Sequence, residues 1–171
     1  GAFLIPLVNQ LLDNPQQKVL IITPTRELAL QIQTVFKDLS HGSKLRSVLC
    51  IGGSNLHRQV DRLKKDHQLV IGTPGRMLDL IMRRKLKLDN CNYLVLDEVD
   101  QMLDMGFVHD IKKILKNTPR DKQSLYFSAT INKRVDQLIS EFSGHVERIS
   151  LQQPAAKQNV DHQMVTYQSD E

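Results

Sequence analysis

The chain has 171 residues, 40% of them hydrophobic and 25% charged, a size and balance that suit one globular domain with a substantial core. No apolar run approaches the ~20 residues needed to cross a membrane, and the two cysteines, Cys50 and Cys91, lack metal-ligand or disulfide-framework spacing, so both read as reduced packing residues. A net charge of +4 helps an anionic partner approach but selects none.

The N-terminal stretch GAFLIPLVNQLL carries neither a basic leader nor a small-residue cleavage site, so an intracellular, cytoplasmic location is expected. Within it Phe3, Leu4, Leu7, Val8, Leu11 and Leu12 recur at helical spacing over residues 3–12, and DNPQQ then breaks the helix. Next comes Val19-Leu20-Ile21-Ile22, an aliphatic run without polar alternation, as expected of a strand buried on both faces of a parallel sheet. Further short runs lie at 47–51, 69–71, 93–96 and 124–127, separated by helical periodicity at 27–39, 55–65, 76–82, 108–116 and 133–142. Strand and helix in alternation predict an α/β fold, a doubly wound and mostly parallel sheet flanked by helices. From Pro154 the periodicity fades, and residues 154–171 read as a linker with one weak strand-like stretch at 160–167. The six histidines, His41, His57, His67, His109, His145 and His162, share no ligand spacing.

In sheets of this class the ligand site lies beyond the carboxyl ends of the strands. Two of those ends share a pattern: Thr23-Pro24-Thr25-Arg26 and Thr73-Pro74-Gly75-Arg76 each put an Arg two residues after a Thr-Pro pair. In both, the Thr can cap the next helix and the Pro suits its first turn. Capping leaves Arg26 and Arg76 unexplained, because a cation in the first helical turn is mildly disfavoured by the macrodipole. Backbone N–H groups at a helix start bind phosphate, and a guanidinium beside them adds charge-assisted bonds. Two such cradles along one sheet edge predict a surface that follows a nucleic-acid backbone without reading bases.

The segment VLDEVD ends a third run with Asp97, Glu98 and Asp100. Carboxylates at a strand end suit Mg²⁺ held by one carboxylate, water and substrate phosphates. Asp97 is then the metal-side group, Glu98 is placed to orient or deprotonate a water attacking a phosphoryl group, and Asp100, on the side of Glu98 if the extended period persists, is free for a structural link. The same acids could cap the following helix, and Ser128 and Thr130 in FSAT could cap the helix near Asn132.

Taken in order, PTRELALQ (24–31), Gly52-Gly53, Gln59 with Arg62, TPGR (73–76), LDEVD (96–100) and SAT (128–130) resemble the DEAD-box RNA helicases over nearly the whole chain. The resemblance implies most of the first of two RecA-like domains, at residues 1–153, in a protein that couples Mg-ATP hydrolysis to RNA remodelling. It places Thr25, Arg26, Gly53, Gln59, Arg62, Thr73, Gly75 and Arg76 on the RNA-backbone surface, Asp97 and Glu98 at the Mg²⁺-ATP and hydrolytic-water positions, and Asp100 in a coupling link to Ser128 and Thr130.

Two departures stand out. Val99 replaces the family's usual Ala, which predicts small repacking and retained chemistry. No GxxxxGK[ST] string occurs in the chain, although AFLIPLVNQLL resembles the helix that follows that phosphate loop in the family. The loop and the adenine-recognition segment are therefore expected upstream of Gly1, the sheet is expected to carry a gap, and the polypeptide alone is expected to be an inactive monomer lacking its second RecA-like domain. A short RNA-binding or partner-binding module without turnover is the alternative. An unrelated Mg²⁺-dependent phosphohydrolase is a third reading, and it leaves both Thr-Pro-Arg junctions unexplained.

Overall fold

The computed structural model describes residues 2–150; the expected linker and the strand-like stretch at 160–167 lie outside them. The first helix, α1 (Leu4–Asp13), buries Leu4, Leu7, Val8 and Leu11, one stripe at helical spacing, and leaves Ile5 and Leu12 about half exposed. The chain then alternates β1 (Val19–Ile22), α2 (Arg26–Leu39), β2 (Ser47–Cys50), α3 (Leu56–Leu63), β3 (Leu69–Gly72), α4 (Pro74–Met82) and β4 (Tyr93–Leu96). Two short helices, α5 (Val99–Asp104) and α6 (Val108–Leu115), precede β5 (Gln123–Tyr126) and α7 (Lys133–Phe142).

The five strands form one parallel sheet in the order β2-β3-β1-β4-β5. Among the described residues this sheet has no gap, contrary to expectation, because β1 is paired along its full length by β3 on one side and β4 on the other. What stays open is an edge: β5 is paired only with β4 and its residues are exposed or half-buried, whereas β1 and β3 are buried throughout.

Side chains that alternate along each strand split the core in two. Val19 and Ile21 join Leu69, Ile71 and Val95 under α1 and α2. Leu20 and Ile22 join Val70, Leu94 and Leu96 under the helices of the other face, where Met77, Leu80, Val99, Met102, Ile111 and Ile114 are fully buried. Both cysteines are free and buried as packing residues, and burial pushes the Cys50 thiol up to about 12 and the Cys91 thiol up to about 11. Because all five strands run the same way, their carboxyl ends share one edge of the sheet, and every motif singled out above stands there or on the helix that follows.

Candidate functional site

The pairing continues one residue beyond the strands and fixes the turns that follow. Thr23 N–H donates to Gly72 O (3.0 Å), Thr73 N–H to Cys50 O (3.1 Å), Asp97 N–H to Ile22 O (3.0 Å) and Phe127 N–H to Leu96 O (2.8 Å).

The two Thr-Pro junctions diverge at this point. In the first, Thr23 is fully buried with its hydroxyl on Thr25 O (3.0 Å), and Thr25 is the cap, its Oγ1 accepting Leu28 N–H at 3.2 Å. In the second, Thr73 holds the cap position with no side-chain bond and Pro74 opens the helix. The cause is the residue after Pro: Thr25 offers a second hydroxyl, and Gly75 offers none. Both arginines still fall in the first helical turn.

They converge on the loop between β2 and α3. The Arg26 guanidinium lies over Gly52 and Gly53, so close that a Cβ on Gly53 would stand 2.1 Å from Nη1, and Gly53 has a φ of +72° that other residues rarely adopt. Arg76 Nη1 donates to Ser54 O at 3.2 Å. Residues 52–54 thus carry a guanidinium from the end of β3 and another from the end of β1, one strand further on, and both arginines keep N–H groups for an anion.

Two members of the expected surface sit elsewhere. Gln59 is buried, its amide donating to Ile51 O (2.9 Å) and its Oε1 left without a partner, so it holds the loop from behind. Arg62 lies in the last turn of α3, where it lines a hollow with Arg46 and His67, away from the two arginines.

Gly72 was missing from the sequence-based set: a Cβ there would stand 2.0 Å from Cys50 O, so the close approach of β2 requires glycine. A glycine ending an aliphatic strand is the signal that could have found it. The carbonyl of Ser54 carries no side-chain signal at all.

On the far side of β1, Asp97 is half-buried, and burial raises its carboxyl above the ordinary value against a pull from the Glu98 N–H. Glu98 is exposed and left-handed (φ 54°, ψ 54°), and helix α5 begins at Val99, so the extended period stops and Glu98 and Asp100 do not share a strand face. Asp100 instead faces the end of β5. Its Oδ2 accepts the Thr130 N–H (2.8 Å) and hydroxyl (2.9 Å), Ser128 Oγ accepts Asp100 N–H (3.3 Å), and Val99 N–H donates to Phe127 O (2.9 Å). Val99 itself is fully buried, so its bulk is absorbed by the core.

The donor set decides which metal could be held. Among the described residues no group of three or more His, Cys, Asp or Glu is placed around a common point. One half-buried carboxylate, Asp97, cannot cage an ion but suits Mg²⁺ that keeps waters and leans on substrate phosphates. The chain supplies carboxylates for such a site and no GxxxxGK[ST] loop to cradle the phosphates.

Comparison with known proteins shows the family. Residues 1–138 match the family model described as DEAD/DEAH box helicase. The chain is 41% identical over 153 residues to the RNA helicase CrhR of Synechocystis sp., covering 90% of this chain and 31% of that protein. It is 44% identical over 153 residues to the ATP-dependent RNA helicase CshA of Listeria monocytogenes, covering 88% and 29%. The chain thus spans about a third of the length of the curated relatives it matches. Among solved structures it is similar to a DEAD box protein of the hyperthermophile Methanococcus jannaschii (TM-score 0.72, 41% identity, 75% of this chain and 35% of that one). It also resembles a hypothetical ATP-dependent RNA helicase from Sulfolobus tokodaii (TM-score 0.78, 32% identity, 85% and 42%). The parallel sheet with its flanking helices is the RecA-like fold of those proteins, and the chain belongs to the DEAD/DEAH box helicase family.

Proposed function

We propose that this chain is the RNA-backbone-holding and carboxylate-bearing part of an ATP-dependent RNA helicase. The observation that carries the reading is that Arg26 and Arg76 meet on one glycine loop, at the same sheet edge as an Asp-Glu pair linked through Asp100 to the end of β5. The relatives named as RNA helicases support it.

The arginines and the helix starts behind them bind phosphate oxygens, so RNA is held without choice of base. Asp97 would be the residue that holds Mg²⁺. When bound, Mg-ATP supplies the phosphoryl group whose transfer to water drives remodelling. Glu98 orients that water and takes its proton on the carboxylate. The Asp100 bonds to Thr130 tie the hydrolytic end of β4 to the end of β5, from which movement passes to the rest of the protein.

Arg26, Arg76 and the glycine loop they meet on all lie within the described residues, so binding is expected of the 171-residue chain by itself. Arg26→Ala with Arg76→Ala should weaken binding of single-stranded RNA and flatten its dependence on log salt concentration by roughly 1.4, two contacts at about 0.7 each. An unchanged slope removes the RNA assignment. In the complete protein, Glu98→Gln should leave ATP binding largely intact and slow single-turnover hydrolysis by about 100-fold or more; a wild-type rate removes the catalytic one.

A further inference from the structure

At the opposite end of the sheet, where β1 and β3 begin, the described residues line a cleft of about 590 Å³, a volume typical of small-molecule sites. Four-residue strands separate it from the arginine–glycine loop by roughly 13 Å of chain. Leu20, Val60, Val70 and Leu86 give it an apolar floor. Its lip is cationic: Lys18, Lys64, Arg84, Lys85 and Lys87 line the opening against one acid, Asp89.

Three of those cations have no acidic partner. Lys18 is paired with Asp66 (2.9 Å) and Lys64 with Asp61 (2.9 Å), while Arg84, Lys85 and Lys87 enter no ion pair among the described residues. The segment Lys85-Leu86-Lys87-Leu88 alternates, so both leucines go into the core and both lysines stay at the surface.

Arg84 adds an independent observation. It sits just past the cap of α4 with a φ of +55°, where its N–H donates to Ile81 O (2.8 Å) and the next N–H, that of Lys85, donates to Leu80 O (2.8 Å). That turn favours glycine, and a side chain there is strained. The backbone gives no reason for arginine; the cationic lip does.

We propose that this cleft is a second ligand site, for a small organic anion whose phosphate sits on Arg84, Lys85 and Lys87 and whose apolar ring lies over Leu86, Val60 and Val70. It is separate from the RNA edge. It selects for a ligand with both parts, since the cations alone face water and the floor alone carries no charge.

The probe is 1-naphthyl phosphate, titrated into the 171-residue chain with methyl NMR read at Val60, Val70 and Leu86. Saturable shifts at all three are expected, unchanged by Arg26→Ala with Arg76→Ala. Arg84→Gly should weaken the probe about fivefold, a typical worth for one exposed charge contact, and leave the melting temperature equal or higher. Lys85→Ala with Lys87→Ala should weaken it again without the change in backbone strain. Shifts lost with the Arg26 and Arg76 changes but kept with Arg84→Gly would mean that the probe reads the RNA edge, and the proposal fails. It fails equally if inorganic phosphate saturates the site as well as the naphthyl ester, or if a single-stranded RNA displaces the probe from the chain carrying the Arg26 and Arg76 changes.

Discussion

Asp100 and Thr130 are joined twice through one atom: Asp100 Oδ2 accepts both the backbone N–H and the hydroxyl of Thr130, at 2.8 and 2.9 Å. Burial pushes this carboxyl up, but the Thr130 bonds, the Gln101 N–H and the Ser128 hydroxyl together hold it below the ordinary carboxylate value. A depressed folded value means that the stability is present above the unfolded value of ~3.9 and is lost as pH falls through the folded one. Asp100→Ala is therefore expected to cost about 1 kcal/mol at pH 7, less than the roughly 1.5–3 kcal/mol of bonds to a charged group because the pair is partly exposed. The gap between the two unfolding curves should close as the pH drops below that carboxylate value. A gap that stays constant with pH would mean that the ionised carboxylate contributes nothing to the link.

Asp97 has the opposite sign. Burial raises its folded value, so the fold favours the neutral acid, and that contribution is lost as pH rises through the folded value. At neutral pH the ionised side chain works against folding. Asp97→Asn should raise the melting temperature by about 1–3 °C, a small change because the half-exposed group is still partly solvated, while Mg²⁺-dependent hydrolysis in the complete protein falls. Loss of both stability and activity would mark Asp97 as a structural acid.

Glu98 holds a second conflict, between the fold and the chemistry proposed for it. Its left-handed backbone (φ 54°) costs a side-chain-bearing residue about 1–2 kcal/mol, a strain that glycine escapes. Glu98→Gly should therefore stabilise the chain by about 1 kcal/mol in urea unfolding, and Glu98→Ala should not. Equal effects from both would place the strain elsewhere.

Much of this arrangement was legible in the sequence, for reasons that particular residues make plain. Val19–Ile22 has no polar residue, the pattern of a strand covered on both faces, and its recurrence between helical stretches pointed to the parallel sheet and its helices. Strand order was not legible, because several right-handed crossover paths fit the same alternation. The two Thr-Pro strings looked equivalent until Thr25 took the cap that Thr73 leaves unused, a choice made by the residue after Pro. Gln59 reads as a polar helix residue like its neighbours, and only the fold turns its amide inward to Ile51 O. The meeting of Arg26 and Arg76 on residues 52–54 depends on β3 lying between β2 and β1, information that no local pattern carries.

Three glycines at this edge separate packing from binding. At Gly72 a Cβ would stand 2.0 Å from the backbone oxygen of Cys50, which cannot swing aside, so Gly72→Ala should cost about 3 kcal/mol or more through displacement of a central strand. At Gly53 the obstruction is the flexible end of Arg26, 2.1 Å away, and the φ of +72° adds about 1 kcal/mol of strain, so Gly53→Ala should lower stability by about that much and displace the guanidinium from the loop. Gly75 is in the first turn of α4, exposed, with nothing nearer to its added Cβ than Asp110 Oδ2 at 4.0 Å. Gly75→Ala should therefore leave the fold equal or up to about 1 kcal/mol more stable, since Ala is the better helix former. If a phosphate lies against that turn, the new methyl group occupies its place, and RNA affinity should drop about tenfold while the melting temperature holds or rises. A Gly75→Ala chain that binds RNA as tightly as the parent would put the backbone path away from α4 and leave Arg76 as a brace for Ser54 alone.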